Sequence, residues 1–272
     1  MPGEGEKTAT GGQGVERSLE KIFEVIDRET GFEVEYYDEK HLERRISARM
    51  HRTSASNYRE YLDLLRKDNI EQSLLIEQLS VNVTGFFRDP DVWSSIGDVV
   101  ERIDEPIEAW SAACSDGREP YSLSMLLDSK GIEHETLATD IDPESLETAY
   151  KGVYESLRTN DIADQVSEFD PSMLRYLSED EKRYEVTGIK ENVRFREHDL
   201  VADGPVPPKD LVMCRNLFIY IDEEYRDEVY ETLYESLKEG GYLIIGKSES
   251  VPRSMRGDFE TVDSENRIYA RL

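Results

Sequence analysis

The chain of 272 residues lacks several features that would place it in whole classes of protein. It has only two cysteines, Cys114 and Cys214, which lie far apart, without CxxC spacing, each inside an apolar stretch. This pattern argues against a metal or redox centre and predicts two buried thiols. No hydrophobic run reaches the length of a membrane span, and residues 1–14 contain no apolar signal segment, so we expect a cytoplasmic protein.

Basic residues are also scarce. The chain has 33 Lys and Arg against 60 Asp and Glu, a formal net charge of −27, and the acids are spread along its whole length. A uniformly acidic surface repels nucleic acid, so no nucleic-acid partner is expected. Self-repulsion of this size destabilises a compact state unless salt screens it, and the composition therefore predicts a halophilic protein.

The N-terminal third is predicted to be a small all-α domain over residues 15–81, preceded by a disordered tail over residues 1–14. In the first helix, apolar side chains recur at Leu19, Ile22 and Ile26, the spacing of an amphipathic helix. The predicted helices cover residues 17–29, 40–52, 58–67 and 72–80.

The second of these helices carries a row of arginines, which is unusual in so acidic a chain. Arg45, Arg49 and Arg52 follow one another at helical spacing. Two interpretations are open at this stage: the arginines form ion pairs with neighbouring acids, or they form a docking face for an acidic partner.

A segment dense in polar and aromatic residues joins the two halves of the chain. Residues 82–90 read Asn-Val-Thr-Gly-Phe-Phe-Arg-Asp-Pro within a predicted linker over residues 82–94. Asn82 and Thr84 could cap helix ends while Arg88 is solvated, which is an ordinary domain junction. The alternative is a ligand contact, since polar side chains crowd a short stretch.

From residue 95 to 272, short apolar runs alternate with helical segments, a pattern typical of a parallel sheet covered by helices. Residues 159–192 are acidic and irregular and indicate an insertion or a small subdomain. Residues 259–262 and 267–272 predict a closing antiparallel pair. The predicted parallel strands cover residues 107–114, 136–141, 193–198, 210–214 and 242–247.

Three residues of this half suggest a nucleoside site. Gly117 lies in the loop after the first strand, just before a helix, and Asp140 ends the next strand, where an acid can hold a ribose diol. The loop lacks the GxGxxG pattern, which disfavours a dinucleotide. With Glu119 nearby, the acidic end suits a ligand that carries positive charge, such as S-adenosylmethionine.

Five ordered motifs then resemble those of the CheR family of chemotaxis receptor methyltransferases, over nearly the whole chain after the tail. They are the segment from Asn82 to Pro90, Trp110-Ser-Ala-Ala-Cys-Ser-Asp-Gly-Arg-Glu-Pro-Tyr-Ser, Ala138-Thr-Asp-Ile-Asp, Cys214-Arg-Asn-Leu-Phe-Ile-Tyr and Gly246-Lys-Ser-Glu-Ser.

The resemblance implies an α/β, Rossmann-like class I methyltransferase domain behind a small N-terminal all-α domain. It implies transfer of a methyl group from S-adenosylmethionine to glutamate carboxylates of chemoreceptor cytoplasmic helices, giving glutamyl methyl esters and S-adenosylhomocysteine. The enzyme would reach the membrane only through its receptor partner, and we expect a monomer.

The resemblance also implies roles for individual residues. Asn82, Thr84 and Arg88 would contact the cofactor and the transfer site. The cofactor's amino-acid end would bind Glu119 and its ribose Asp140. Its adenine region would lie near Asp199 and Leu200, and Arg215 and Asn216 would form the floor of the pocket near the sulfonium.

The implied chemistry needs no general base, because a glutamate is already ionised at neutral pH. Catalysis would consist of aligning a carboxylate oxygen with the methyl group and sulfur. Arg88 could hold one carboxylate oxygen while the other attacks, and Tyr220 would face the reacting centre. None of the four histidines needs a catalytic role.

The same resemblance makes Arg45, Arg49 and Arg52 candidates for docking the acidic receptor. It leaves peptide tethering in doubt, because the segment over residues 184–195, which corresponds to a β-subdomain in better known members, is short. Two alternatives remain: a methyltransferase acting on another substrate, and a cofactor-binding sensor without turnover. A nucleic-acid methyltransferase is disfavoured by the acidic surface and by the absence of an Asn-Pro-Pro-Tyr type motif.

Overall fold

The computed structural model describes residues 9–30, 34, 39–79, 84–156 and 161–272. It divides into two compact units, Met1–Val81 with Tyr220–Glu223 and Asn82–Ile219 with Glu224–Leu272. Within the described residues, no helix combines the length and the apolar composition needed to cross a bilayer.

The first unit is built from four helices. They are α1 (Ala9–Thr30), α2 (Glu39–Met50), α3 (Tyr58–Leu65) and α4 (Asn69–Leu79). Helix α1 begins at Ala9, inside the segment predicted to be disordered, so the sequence placed the helix start too late. Helix α3 begins where the Asn57 side chain accepts the backbone N–H of Glu60, and Glu60 accepts the N–H of Ser56 in return. The helices bury Leu19, Ile22, Ile26, Leu42, Ile46, Tyr61, Leu65 and Leu75 against one another.

One of the predicted docking arginines is part of this helical core. Arg49 donates from Nε and Nη2 to the two carboxylate oxygens of Glu71, at 2.9 and 2.7 Å, and the Tyr61 hydroxyl donates to Glu71 Oε1 at 2.8 Å. Glu71 is only 6% exposed. A bidentate pair in so buried a place stabilises the packing of α2 on α4, so the ion-pair interpretation is confirmed for Arg49. Its predicted docking role stays a prediction.

The second unit contains the predicted mixed sheet. Its strands are β1 (Ile107–Ala112), β2 (His134–Asp140), β6 (Val193–Glu197), β7 (Lys209–Cys214), β8 (Leu237–Ile245), β9 (Phe259–Asp263) and β10 (Ile268–Arg271). They lie in the order β6-β2-β1-β7-β8-β10-β9. The pairs from β6 to β8 are parallel, and β10 is antiparallel to both of its neighbours. The predicted parallel strands and the closing pair are confirmed.

Helices connect and cover these strands. They are α5 (Pro90–Val100), α6 (Arg118–Ser129), α7 (Pro143–Lys151), α8 (Ile162–Phe169) and α9 (Arg226–Glu235). Helix α5 starts within the predicted linker, with Pro90 in its first turn and Val92, Trp93 and Ile96 buried. The linker prediction is therefore wrong from residue 90 onwards.

The insertion is not irregular. Strands β3 (Val153–Glu155), β4 (Leu177–Asp180) and β5 (Arg183–Val186) form an antiparallel sheet in the order β3-β5-β4, with α8 and a 3-10 turn at Pro171–Tyr176 between β3 and β4. A small β-subdomain is thus present, which was one of the two alternatives for this segment. The doubt about peptide tethering stands.

Candidate functional site

The strand order reverses between β1 and β7, and the candidate site lies in the second unit at the carboxyl ends of these strands. The loop after β1 turns sharply, with left-handed backbone at Ala113, Ser115 and Gly117 (φ of 55°, 51° and 87°). A Cβ at Gly117 would lie 2.7 Å from the Cβ of Ala149 on α7, so only glycine fits. This turn starts α6 at the carboxyl edge of the sheet, with Gly117 immediately before its first residue.

Asp140, the last residue of β2, fixes that loop. Its Oδ2 accepts the backbone N–H of Ser115 at 2.6 Å, and its Oδ1 accepts the N–H of Asp142 at 3.0 Å. Burial raises the pKa of Asp140 to about 6, although these backbone donors oppose the shift. Each carboxylate oxygen keeps a second lone pair, so the group can still accept both hydroxyls of a ribose.

Glu119, in the first turn of α6, is the second acid at this edge. Its Oε1 accepts the Ser111 hydroxyl at 2.9 Å, and its Oε2 lies 3.6 Å from Nη1 of Arg215. Burial raises the pKa of Glu119, and the charges of Arg215 and Arg88 oppose that rise. The side chain is 15% exposed, so a ligand can reach this carboxyl group, and a carboxylate there suits an ammonium group.

Arg215, which directly follows β7, binds protein groups rather than facing a ligand. Its Nη2 donates to Oδ2 of Asp89 at 2.7 Å and to the carbonyl oxygen of Arg88 at 3.0 Å, and the side chain is 1% exposed. The guanidinium also lies 5.8 Å from the centre of the Trp93 ring. Arg215 therefore contributes to the predicted pocket floor by joining the end of β7 to the segment of Arg88 and Asp89.

The backbone around Arg88 is held in an unusual conformation. Phe87 and Asp89 have left-handed φ angles of 48° and 59°. The carbonyl oxygen of Arg88 accepts two hydrogen bonds, from Nε1 of Trp93 at 2.9 Å and from Arg215. The charge of Arg88 lowers the pKa of Glu119, against the larger effect of burial, so the two groups interact electrostatically. The two hydrogen bonds to the carbonyl oxygen fix the main chain of Arg88 and hence the position from which its side chain extends.

The β-subdomain insertion supports the segment that leads to Arg88. Oε1 of Gln165, on α8, accepts the N–H of Phe86 at 3.0 Å. The Phe87 ring stacks on Phe169 of the same helix with centroids 4.6 Å apart, and the N–H of Phe87 donates to the Ser122 hydroxyl at 3.0 Å. Sequence reasoning missed these supports, because their partners lie far along the chain.

Thr84, the other described residue of this segment with a predicted cofactor role, is tied through its backbone. Its carbonyl oxygen accepts Nη1 of Arg118 at 3.1 Å. Arg118 also lies over the Tyr154 ring of the insertion, 4.9 Å from its centre. Asn82 lies outside the described residues.

Asn216 stands beside Arg215 in a left-handed conformation, with φ of 63°. Its N–H donates to Oε2 of Glu249 at 3.0 Å. Glu249 lies in the Gly-Lys-Ser-Glu-Ser motif after β8, which carries part of the family resemblance but had no predicted role. The structure adds Glu249 to the groups that shape this edge.

The predicted adenine region is a tight turn after β6. Oδ1 of Asp199 accepts the N–H groups of Val201 and Ala202 at 2.8 and 3.1 Å, and Leu200 is 8% exposed. The Asp199 carboxylate therefore builds the turn, and its predicted contact with the cofactor is open only through Oδ2 or the backbone. The Leu200 side chain is buried in the protein, and its predicted place beside the adenine stays a prediction.

Tyr220 belongs to the first unit, where its charge raises the pKa of Arg45, against the stronger effect of burial, which lowers it. Arg45 is partly buried and Arg52 is exposed. Their roles as receptor contacts, like that of Tyr220 in transfer, stay predictions.

The two cysteines are free and buried, which confirms the prediction, and burial raises the pKa of both thiols well above the usual value. Among residues 9–79, 84–156 and 161–272, so far as they are described, no group of three metal-binding side chains is present.

Comparison with known proteins agrees with this geometry. A family model described as CheR methyltransferase, SAM binding domain, matches residues 82–268, and one described as CheR methyltransferase, all-alpha domain, matches residues 17–80. The chemotaxis protein methyltransferase of Listeria monocytogenes is 32% identical over 84% of this chain and 87% of its own length. That of Escherichia coli is 29% identical over 85% and 83%, respectively.

Proposed function

The chain belongs to the CheR methyltransferase family, and we propose that it methylates glutamate side chains of chemoreceptors, forming glutamyl methyl esters. The coarser statement is established by the family: the protein is a methyltransferase of chemotaxis whose cofactor is S-adenosylmethionine. Its fold is the predicted Rossmann-like α/β methyltransferase domain with an all-α N-terminal domain.

The observation that carries the proposal is the pair of carboxylates, Asp140 and Glu119, beside Arg88 at the switch point of the sheet. A ribose diol and an ammonium group both require acceptors, and these two acids supply them. The hydroxyl oxygen of Ser115, in the same loop, is buried and has no hydrogen-bond partner, so the site also has an unused polar atom for a ligand. The residues present therefore fit the cofactor.

When bound, S-adenosylmethionine supplies an electrophilic methyl group on a sulfonium. The chain's own task is to bring a glutamate carboxylate into line with it, which is catalysis by positioning. Arg88 can donate to one carboxylate oxygen and leave the other to attack. Two of the four histidines are engaged elsewhere: His134 pairs with the Ser124 hydroxyl at 2.8 Å, and His198 donates from Nε2 to the carbonyl of Gly204.

The direct test is incubation with methyl-labelled S-adenosylmethionine and a receptor cytoplasmic fragment in molar KCl. Alkali treatment then releases a methyl ester as volatile methanol, which is counted. We expect base-labile label on the receptor fragment and none on a fragment whose candidate glutamates are replaced by alanine. Tight cofactor binding without receptor labelling would contradict the proposal and favour the sensor or another substrate.

We expect cofactor affinity to depend on the ionisation of Asp140. Only the carboxylate form accepts both ribose hydroxyls, and with a pKa of about 6 roughly one tenth of it remains ionised at pH 5. Affinity for S-adenosylhomocysteine, measured by calorimetry, should therefore fall about tenfold between pH 7 and pH 5. The variant Asp140→Asn should bind S-adenosylhomocysteine more weakly, by about 2 kcal/mol, and its affinity should not show this dependence on pH.

The slope has an alternative source, because the pKa of Glu119 is also raised. A pH dependence that persists in Asp140→Asn would assign it to Glu119 and contradict the assignment to Asp140. Asp142→Asn is a control variant, because this neighbouring acid caps α7 through the N–H of Glu144. Its charge also raises the pKa of Asp140, so the pH dependence should persist in Asp142→Asn and move to lower pH.

We propose that Arg45 and Arg52, without Arg49, contribute to receptor docking. Replacing both with alanine should raise the KM for the receptor fragment about three- to tenfold with little change in kcat, since exposed charge pairs contribute up to about 1 kcal/mol each. Arg49→Ala should instead lower the stability of the helical unit by about 3 kcal/mol, because it leaves Glu71 buried and unpaired.

Steady-state kinetics at two salt concentrations and urea unfolding separate the two effects. An unchanged KM in the double variant, or a KM effect that does not diminish with salt, would remove these arginines from the docking surface.

A further inference from the structure

We propose that Glu249 is a positioning residue of the cofactor site, whose buried carboxylate fixes the loops after β7 and β8 and thereby holds Asn216 at the edge of the site. The inference rests on the proposed function only in requiring that the site bind the cofactor. It does not depend on which substrate is methylated.

The carboxylate of Glu249 joins two loops that are distant in sequence. Its Oε2 accepts the N–H of Gly246 at 2.6 Å and that of Asn216 at 3.0 Å, and its Oε1 accepts the N–H of Phe218 at 2.8 Å. The residue is 5% exposed. Three backbone donors therefore have this one side chain as their acceptor, and without it they would be left buried and unsatisfied.

The position of Asn216 depends on this arrangement. Its left-handed backbone, with φ of 63°, is unfavourable for a residue other than glycine, although asparagine tolerates it better than most. A surrounding structure must therefore hold it. The N–H bond to Glu249 is formed at this very residue, so the carboxylate opposes relaxation of the turn.

The contact between the two loops is too close for any side chain at Gly246. A Cβ there would lie 2.6 Å from Oε2 of Glu249 and 2.9 Å from both the backbone N and Nδ2 of Asn216. Gly246 and Glu249 thus contact Asn216 directly, Gly246 at its backbone N and side-chain amide and Glu249 at its backbone N–H. Movement of the Glu249 carboxylate would be transmitted to Asn216 by direct contact.

The charge of Glu249 matters as well as its shape. Burial raises its pKa, whereas the three N–H groups and the nearby Arg215 favour the ionised form. A glutamine at this position has one oxygen and one NH2 group, and the NH2 would face a backbone N–H. Glu249→Gln therefore cannot satisfy all three donors, although its volume is nearly the same.

The same loops have an independent support, which provides a matched control. The Phe218 ring stacks on Tyr230 of α9 with centroids 4.0 Å apart, and the Tyr230 hydroxyl donates to the carbonyl of Ser250 at 3.1 Å. Tyr230→Phe removes that hydrogen bond while keeping the stack. This substitution loosens the loop after β8 but leaves the contacts of Gly246 and Glu249 with Asn216 in place.

The experiment measures S-adenosylhomocysteine affinity by calorimetry and thermal stability for the full chain and both variants, without receptor. We expect Glu249→Gln to weaken binding about tenfold or more, and Tyr230→Phe to change it less than twofold at a comparable loss of melting temperature. Wild-type affinity in Glu249→Gln, or equal weakening in the two variants, would overturn the proposal.

Amide hydrogen exchange adds a readout that general destabilisation does not reproduce. Protection should fall in Glu249→Gln at the donors that the NH2 group faces, either Phe218 or the pair Gly246 and Asn216, and should persist at all three in Tyr230→Phe. If Glu249→Gln does not fold, Glu249→Asp is measured in its place. It keeps the charge on a shorter side chain, and we expect the same weakening of S-adenosylhomocysteine binding. Because binding is measured without receptor, failure to methylate receptors leaves this result intact.

Discussion

Arg88→Ala is expected to reduce methyl transfer by about 10²- to 10³-fold while changing cofactor affinity less than about threefold. The guanidinium is proposed to orient the substrate carboxylate, and removing an oriented donor acts mainly on the transfer step. The substitution leaves the local backbone intact, because Trp93 and Arg215 bind the main-chain carbonyl of residue 88 and not its side chain.

Single-turnover transfer and calorimetric binding of S-adenosylhomocysteine measure the two quantities separately. Arg88→Lys is the matched control: it keeps the positive charge near Glu119 but loses the planar fork, and we expect intermediate activity. Equal losses of transfer and cofactor affinity in Arg88→Ala would remove Arg88 from the transfer step.

Arg215→Met is expected to lower the free energy of unfolding of the methyltransferase domain by about 3–5 kcal/mol. The guanidinium is buried against Asp89 and Glu119, and its charge also favours the ionised form of Glu249. Methionine fills much of the volume but leaves these carboxylates without their cation. The loss is thus electrostatic in origin, and urea unfolding measures it.

Its pH dependence distinguishes this cause from poor packing. Without Arg215 the folded-state pKa values of Glu119 and Glu249 rise further above their unfolded values. An acid whose pKa is higher in the folded than in the unfolded state destabilises the fold as pH increases. The loss of unfolding free energy in Arg215→Met should therefore be largest near pH 7.5 and shrink towards pH 5. A deficit independent of pH would contradict the electrostatic explanation.

Sequence reasoning found the parts of the site that depend on local order. Asp140 ends a predicted strand, and Gly117 lies where a strand turns into a helix, so both positions follow from patterning alone. Helix α5 was missed although its signals were present: Pro90 in the first turn and apolar residues at helical spacing after it.

Other features could not be found in this way. Strand β4 reads Leu-Ser-Glu-Asp, which has no alternating pattern, and pairs only because β5 lies beside it. The role of Glu249 depends on backbone N–H groups from a loop 31 and 33 positions earlier, where no side-chain pattern records the contact. Arg49 has the spacing of a surface row, but its distant partner Glu71 makes it a core residue.

The contacts of the β-subdomain insertion with the segment before Arg88 bear on how this family diverges. Gln165 and Phe169 hold Phe86 and Phe87 from one side, and Tyr154 lies edge-on to Phe86 with centroids 5.2 Å apart. A graft of this insertion from a relative would therefore carry mismatched partners into the Arg88 turn. The insertion and the turn around Arg88 should consequently coevolve. In chimeras, the two segments should be exchanged together.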